Sequence, residues 1–305
     1  MSIIFGPINS RRFGKSLGVD LSPNVKQCNF DCLYCELKGA KVVDNQSSIV
    51  SVSEILDAIK KALASHKDID VLTLTANGEP TLYPYLNELI DGINKIKGSV
   101  KTLILTNSST INKPEIQKAL AKLDSVKLSL DCATDRCFKK LDRASKSIDL
   151  ESIKKGILEF KKHFNGDLLI EILFVKGIND NSEELSKLNE FLLKLKPTRV
   201  DIGTIDRPPA YDIKPISYDR LHELSLEFDK SLNIAIATKQ PNQKAKFDYS
   251  KEEILKTLSL RPLTKEDIDT LFNEASIKRL KELEAEGKIK HELRGGIEFY
   301  IVKDI

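Results

Sequence analysis

The stretch Ile69-Asp70-Val71-Leu72-Thr73-Leu74-Thr75-Ala76-Asn77-Gly78-Glu79-Pro80 decides the fold. Its first seven residues are mostly apolar or β-branched and are followed by Gly and Pro, so they read as a buried strand that ends in a turn. Tyr85 to Ile96 reads as the helix behind that strand, and the alternation then repeats. Val100 to Thr106, Ser125 to Leu130, Leu168 to Val175 and Arg199 to Ile205 read as further strands. Lys113 to Lys122, with Pro114 near its start, and Ser182 to Leu195 read as helices. Upstream, Leu17 to Leu21 reads as a first strand and Ser53 to Ala64 as a first helix with Ser53 as its N-cap. A βαβα series of this kind predicts a parallel sheet with helices on its outer face. About six strands are too few for a closed eight-stranded barrel, which leaves a partial barrel or an open doubly wound sheet.

The 305 residues have room for one large α/β domain and a small one. A net charge of +3 and a pI near 8.4 are too weakly basic to indicate a nucleic-acid binder by themselves. No apolar run approaches the roughly 20 residues that cross a bilayer. The opening Met1 to Pro7 lacks the charged and apolar regions of a signal peptide, so the expected location is cytoplasmic. Five cysteines, an odd number, exclude a complete set of intramolecular disulfides.

Composition shifts at Lys239 to Tyr249, which is polar, aperiodic and contains Pro241. The expected organisation is a core over 1–238, a linker over 239–249 and a small domain over 250–305. In the small domain, Lys251 to Leu258, Thr264 to Phe272 and Ala275 to Glu286 read as helices. Thr264-Lys265-Glu266-Asp267 is a capping-box-like start, and Gly287 a left-handed cap. Lys288 to Leu293 and Ile297 to Val302 read as a hairpin turning at Gly295-Gly296. Three helices and a hairpin resemble a winged-helix domain.

The chemistry is concentrated in Gln27-Cys28-Asn29-Phe30-Asp31-Cys32-Leu33-Tyr34-Cys35-Glu36. A structural zinc site needs four protein ligands, and after Cys35 no cysteine occurs until Cys132. A Cys32–Cys35 redox pair leaves Cys28 without a role. The third reading is a cubane iron–sulfur cluster with three thiolate ligands, which leaves one iron open to a small chelating molecule.

Cys-x3-Cys-x2-Cys with an aromatic, Tyr34, before the last cysteine resembles the radical S-adenosylmethionine (radical SAM) superfamily. The resemblance implies a partial (β/α)6 TIM-like barrel and a [4Fe–4S] cluster held by Cys28, Cys32 and Cys35. It implies S-adenosylmethionine chelated to the open iron and cleaved reductively to a 5′-deoxyadenosyl radical. Asn77-Gly78-Glu79-Pro80 is similar to the family turn that meets the methionine amino group, where Glu79 takes the ammonium charge or orients the turn. Asn107, Ser129 and Asp131 fall at strand ends where the family places polar contacts to the ribose, and Tyr34 falls near the adenine. The resemblance also implies an electron donor such as flavodoxin or ferredoxin.

The opening Gly6 to Asp20 narrows the group. It looks like the branch that includes the synthases of the tricyclic wyosine base of tRNA, over roughly residues 5 to 210. Those synthases carry three more cysteines upstream; none precedes Cys28 here, so only the generic radical chemistry carries over.

Other residues admit two readings. Cys132 and Cys137 can ligate an auxiliary cluster, pair reversibly or serve as small buried side chains. Arg11, Arg12 and Lys15, and with them Arg143 and Arg207, can meet an anionic group or stay solvated. His66, His163, His222 and His291 form no ligand spacing. Residues 250–305 hold 11 Lys or Arg against 12 Asp or Glu, with a partial basic cluster at Lys278, Arg279, Lys281, Lys288, Lys290 and Arg294. The expected function is radical modification of a tRNA or RNA base. The alternatives are radical modification of a protein or peptide, and a non-catalytic iron–sulfur redox sensor that binds nucleic acid.

Overall fold

A computed structural model describes residues 3–10, 13–236, 246–260, 262–294 and 297–303. The large unit runs β1 (Ile4–Ser10), β2 (Gly14–Asp20), α1 (Val52–Ser65), β3 (Val71–Thr75), α2 (Leu86–Ile96), β4 (Lys101–Thr106), α3 (Pro114–Leu120) and β5 (Ser125–Ser129). It continues through α4 (Asp135–Leu141), α5 (Leu150–His163), β6 (Asp167–Phe174), α6 (Ser182–Leu195), β7 (Arg199–Thr204), α7 (Tyr218–Glu227) and β8 (Ile234–Ile236).

The eight strands form one sheet whose spatial order follows the sequence, from β1 to β8 without a reversal. A doubly wound sheet reverses its order at a switch point, so the observed order selects the partial barrel. Every pair from β2 to β8 is parallel, whereas β1 lies antiparallel on the free edge of β2. The sequence reading of about six strands therefore omitted the two edge strands.

Side-chain alternation explains the layers. Leu17, Val19 and Leu21 are buried with Ile55 and Ile59 of α1, while Ser16, Gly18 and Asp20 line the barrel interior. Within the barrel, Val71, Leu103 and Leu169 pack with Phe13 and Leu105 as an inner apolar cluster. Strands covered on both faces read as nearly continuous apolar runs, which is why Val71 to Thr75 was recognisable.

The first helix begins one residue earlier than its sequence suggested, and its cap lies two residues earlier. Ser51, not Ser53, is the N-cap, and Glu54 closes a capping box with it. Ser51→Ala is expected to lower the melting temperature by roughly 2 to 4 °C, the scale of a lost cap in a chain of this size. Ser53→Ala is expected to leave it unchanged, and scanning calorimetry of the two variants separates them.

The C-terminal unit runs α8 (Lys251–Leu260), β9 (Leu263–Thr264), α9 (Lys265–Leu271), α10 (Glu274–Ala285), β10 (Ile289–Arg294) and β11 (Ile297–Val302). Its antiparallel sheet has the order β10-β11-β9, so a third strand joins the expected hairpin. Thr264 caps α9 through a capping box, and Gly287 follows α10 with φ of +69°. Residues 237–245 and the Gly295-Gly296 turn lie outside the described residues. Tyr249 belongs to the core of this unit, with Ile254, Leu258, Phe272 and Leu280. The unit is seated on β1: Ile8 packs against its core and the Tyr249 hydroxyl donates to the Pro7 carbonyl.

Candidate active site

Parallel strands present their carboxyl ends, and the loops that follow them, at one end of a barrel. There the loop after β2 carries Cys28, Cys32 and Cys35, the turn after β3 carries Asn77 to Pro80, and β4 and β5 lead into Asn107 and Asp131. A cavity of about 600 Å³ is lined in part by Asp20, Tyr34, Cys35, Asn77, Gly78 and Arg207, whereas Asn107, Ser129 and Asp131 meet the other side of Tyr34 around a separate void of about 10 Å³.

The cysteine loop has no regular secondary structure and is held from several sides. Its entry is paired with the turn after β3: the Gln27 amide donates to the Asn77 carbonyl at 2.9 Å, and the Glu79 amide to the Gln27 carbonyl at 3.0 Å. Gly78 is required at this crossing, because its φ is +134° and a Cβ would sit 2.0 Å from the Gln27 carbonyl oxygen. The Gln27 side chain grips the far end of the loop, donating to the Ser48 carbonyl and accepting from the Ser47 and Ser48 amides.

Behind the loop, the end of α4 supplies backbone acceptors. The Asp31 amide donates to the Asp142 carbonyl at 3.2 Å and the Leu33 amide to the Leu141 carbonyl at 2.9 Å. The segment after β7 straps the front. There Arg207 pairs with Glu36, the Ala210 amide donates to the Cys35 carbonyl at 2.8 Å, and the Tyr211 hydroxyl meets the Asp31 carboxylate at 2.7 Å. Arg143 pairs with the same carboxylate at 2.9 Å and lies over the Tyr211 ring.

The three cysteines are free thiols. Burial, with the Glu79 carboxylate nearby, pushes the Cys28 thiol up to about 12. Burial and then Asp142 push Cys32 well above its ordinary value. Thiols of this kind are deprotonated by binding a metal, not by neutral water. Among the described residues, the set of three metal-type donor atoms drawn within 4.8 Å of one another is Cys132, Cys137 and Glu184. Three part-buried free thiols on one loop offer three ligands to a cubane cluster and leave its fourth iron open.

A sequence profile of the radical SAM superfamily matches residues 25–188. The chain belongs to the radical SAM superfamily. Radical SAM proteins use a [4Fe–4S] cluster and S-adenosylmethionine, and the donor set at this end of the barrel fits both. Within the superfamily the chain groups with the UPF0026 proteins: it is 41% identical over 302 residues to a "UPF0026 protein" of Helicobacter pylori, covering 98% of this chain and 97% of that one. A "Probable GTP 3',8-cyclase" of Methanococcus aeolicus is 27% identical over 220 residues, covering 72% of this chain and 69% of that one. Among solved structures, Streptococcus suis SuiB bound to its precursor peptide SuiA superposes with a TM-score of 0.57 at 20% identity, covering 72% of this chain and 48% of that one. That likeness concerns the fold alone.

The radical SAM motifs fall at the expected strand ends, but several side chains are already occupied. Glu79 is buried, and its carboxylate accepts from Thr81 N at 2.9 Å, Thr81 Oγ1 at 2.6 Å, Thr106 Oγ1 at 2.6 Å and Asn107 N at 2.7 Å. This geometry matches the turn-orienting alternative. Pro80 is buried at the start of the following 3-10 turn. Asn107 donates to Asn29 Oδ1 at 3.0 Å and lies 3.7 Å from Cys28 Sγ. The carbonyl of Ser129 accepts from Ser108 Oγ at 2.8 Å. Asp131 takes the Tyr34 hydroxyl on one oxygen and the Leu173 amide at 2.6 Å on the other, and burial raises its pKa. Tyr34 is thereby fixed at the wall of the cavity.

Cys132 and Cys137 form a disulfide and are both buried in the core, so the structure fits pairing and burial and not an auxiliary cluster. Lys15 sits at the opposite end of β2, near Asp68 and Asp70, and is remote from the strand ends. Arg11 and Arg12 lie outside the described residues. His66 and His291 are paired with Glu253 and Glu284.

Three residues at the site were absent from the sequence reading. Asp20 accepts from the Asn77 and Ser22 amides, both at 2.9 Å, and so carries the turn after β3. Asp142 lies 3.8 Å from Cys32 Sγ and Lys26 Nζ lies 3.5 Å from Cys35 Sγ. Asp20 had a visible signal, a carboxylate ending a strand just before the cysteine loop. Asp142 had none, being 110 residues from its partner in sequence.

Proposed function

We propose that Cys28, Cys32 and Cys35 hold the [4Fe–4S] cluster, and that the chain modifies a base of tRNA or another RNA by radical chemistry. With the cluster and S-adenosylmethionine bound, the site would supply one-electron reductive cleavage of S-adenosylmethionine to a 5′-deoxyadenosyl radical. Asn77, Gly78, Glu79, Pro80, Tyr34, Asn107, Ser129 and Asp131 shape the place of the cofactor, with Glu79 and Asp131 acting as fixed acceptors for the surrounding turns. The observation that carries the reading is the cavity of about 600 Å³ lined by Tyr34 and Cys35 of the cysteine loop and by the turn after β3, which has room for a nucleoside-scale group. The relative named for a reaction of GTP supports a purine-type substrate.

The C-terminal unit, with the order helix, strand, helix, helix, hairpin, is read as a winged helix that recruits the substrate, and flavodoxin or ferredoxin as the electron donor. One observation favours a protein or peptide substrate. Several basic residues of this unit are paired with acids: Lys251 with Glu282 and Glu286, Lys288 with Glu286, and Arg279 with Asp248. Such pairing weakens a phosphate-binding face. Anaerobically reconstituted protein, given dithionite and S-adenosylmethionine, is expected to form 5′-deoxyadenosine, and to form more with total tRNA than with a total peptide digest. The opposite order selects the peptide reading. No 5′-deoxyadenosine under any reducing condition leaves the sensor.

A further inference from the structure

We propose that Lys26 is the residue that tunes the cluster electrostatically, by holding a fixed positive charge against the sulfur of Cys35. This rests on the assignment of the cluster to Cys28, Cys32 and Cys35. The three sulfurs have unlike surroundings. Cys28 receives neutral donors, the Phe30 amide at 3.4 Å and Asn107 Nδ2 at 3.7 Å. Cys32 faces the Asp142 carboxyl at 3.8 Å. Cys35 faces the Lys26 ammonium at 3.5 Å.

The ammonium is held where it is. It donates to the Lys38 carbonyl at 3.1 Å and the Leu37 carbonyl at 3.5 Å, both in the segment that follows Cys35. Its own backbone immediately precedes Gln27, which is fastened by the turn after β3 and by Ser47 and Ser48. A lysine on an open surface swings into water and its charge is screened. This one is tied by carbonyls to the loop that carries the sulfur, so its charge stays with Cys35. A fixed cation beside a cluster sulfur favours the reduced state, which carries one more negative charge. Lys26 thereby makes the cluster easier to reduce and lowers the demand on the electron donor.

The test is an EPR-monitored potentiometric titration of reconstituted wild type, Lys26→Gln and Lys26→Arg without S-adenosylmethionine, alongside iron and sulfide counts and circular dichroism. Lys26→Gln is expected to load iron like wild type but to shift its midpoint downward. At a fixed applied potential its ratio of reduced to oxidised cluster should fall about tenfold, which is 59 mV for one electron. Lys26→Arg is expected to restore the wild-type value. Equal midpoints in fully loaded wild type and Lys26→Gln would overturn the proposal. So would iron loss in Lys26→Gln with full loading in Lys26→Arg, since Lys26 would then be a latch for the loop and not a tuner. A wild type that takes up no iron–sulfur cluster would instead defeat the cluster assignment itself, which keeps the two failures distinct.

Discussion

Replacing Cys28, Cys32 and Cys35 together by alanine is expected to reduce bound iron from about four per chain to background and to abolish 5′-deoxyadenosine formation. The effect is large because no other sulfur is placed to compensate: the remaining two cysteines are joined in a disulfide. The fold is expected to survive. The loop around the sulfurs is fixed by backbone and amide hydrogen bonds through Gln27, Asp31 and Leu33, none of which the substitution removes. Near-wild-type circular dichroism with loss of the absorbance of the cluster is therefore the expected pair of observations. The double variant Cys132→Ser/Cys137→Ser serves as the control and should keep both iron and activity. Iron retained in the triple variant but lost in this control would move the metal to Cys132, Cys137 and Glu184, the one compact donor set among the described residues.

The parts of the fold that were legible in the sequence are those whose packing imposes a period. Strands buried on both faces, such as Val71 to Thr75, and helices with one apolar face, such as Ser182 to Leu195, leave their geometry in the order of residue types. β1 leaves no such trace. Its run Ile4-Phe5-Gly6-Pro7-Ile8-Asn9-Ser10 has Gly and Pro at its centre, which locally read as a turn. It becomes a strand through its antiparallel pairing with β2, where Gly18 makes room for the Phe5 ring; a Cβ there would lie 2.1 Å from that ring. β8 is three residues long and exists by pairing with β7. The Ser51 cap is a different case: Ser51-Val52-Ser53-Glu54 carries the S-x-x-E signature, so the signal was present and Ser53 was the wrong serine to choose.

At the site, spacing within one loop was legible and contact across the fold was not. The cysteine triplet and the Gly-Glu-Pro turn are short-range patterns. Tyr34 with Asp131, Cys32 with Asp142 and Asp31 with Tyr211 join residues 97, 110 and 180 apart, and no local pattern encodes them. The sequence could also not choose between two roles for Glu79. A charge that greets a ligand and a charge that satisfies its own protein look alike until the donors around it are counted.

Glu79→Ala is expected to destabilise the protein by about 2 to 6 kcal/mol, because it removes the acceptor of four donors and leaves at least two of them stranded at about 1 to 3 kcal/mol each. Those donors are Thr81 N, Thr81 Oγ1, Thr106 Oγ1 and Asn107 N. The two hydroxyls can rotate to other acceptors, which limits the loss, but the two backbone amides cannot. Glu79→Gln should be milder. Its carbonyl oxygen can keep the three donors now on Oε1, leaving its NH2 opposed to the Asn107 amide alone, a cost of about 1 to 3 kcal/mol. The damage reaches the cluster site because the Glu79 amide is bonded to the Gln27 carbonyl beside Cys28, and Asn107 lies against Cys28 itself. Lower iron content in Glu79→Ala should therefore accompany its lower denaturation midpoint, with Glu79→Gln between it and wild type in both. If Glu79→Ala instead unfolds at the wild-type denaturant concentration and only its affinity for S-adenosylmethionine falls, the carboxylate serves the methionine ammonium, and the turn is held by its backbone pairing with Gln27.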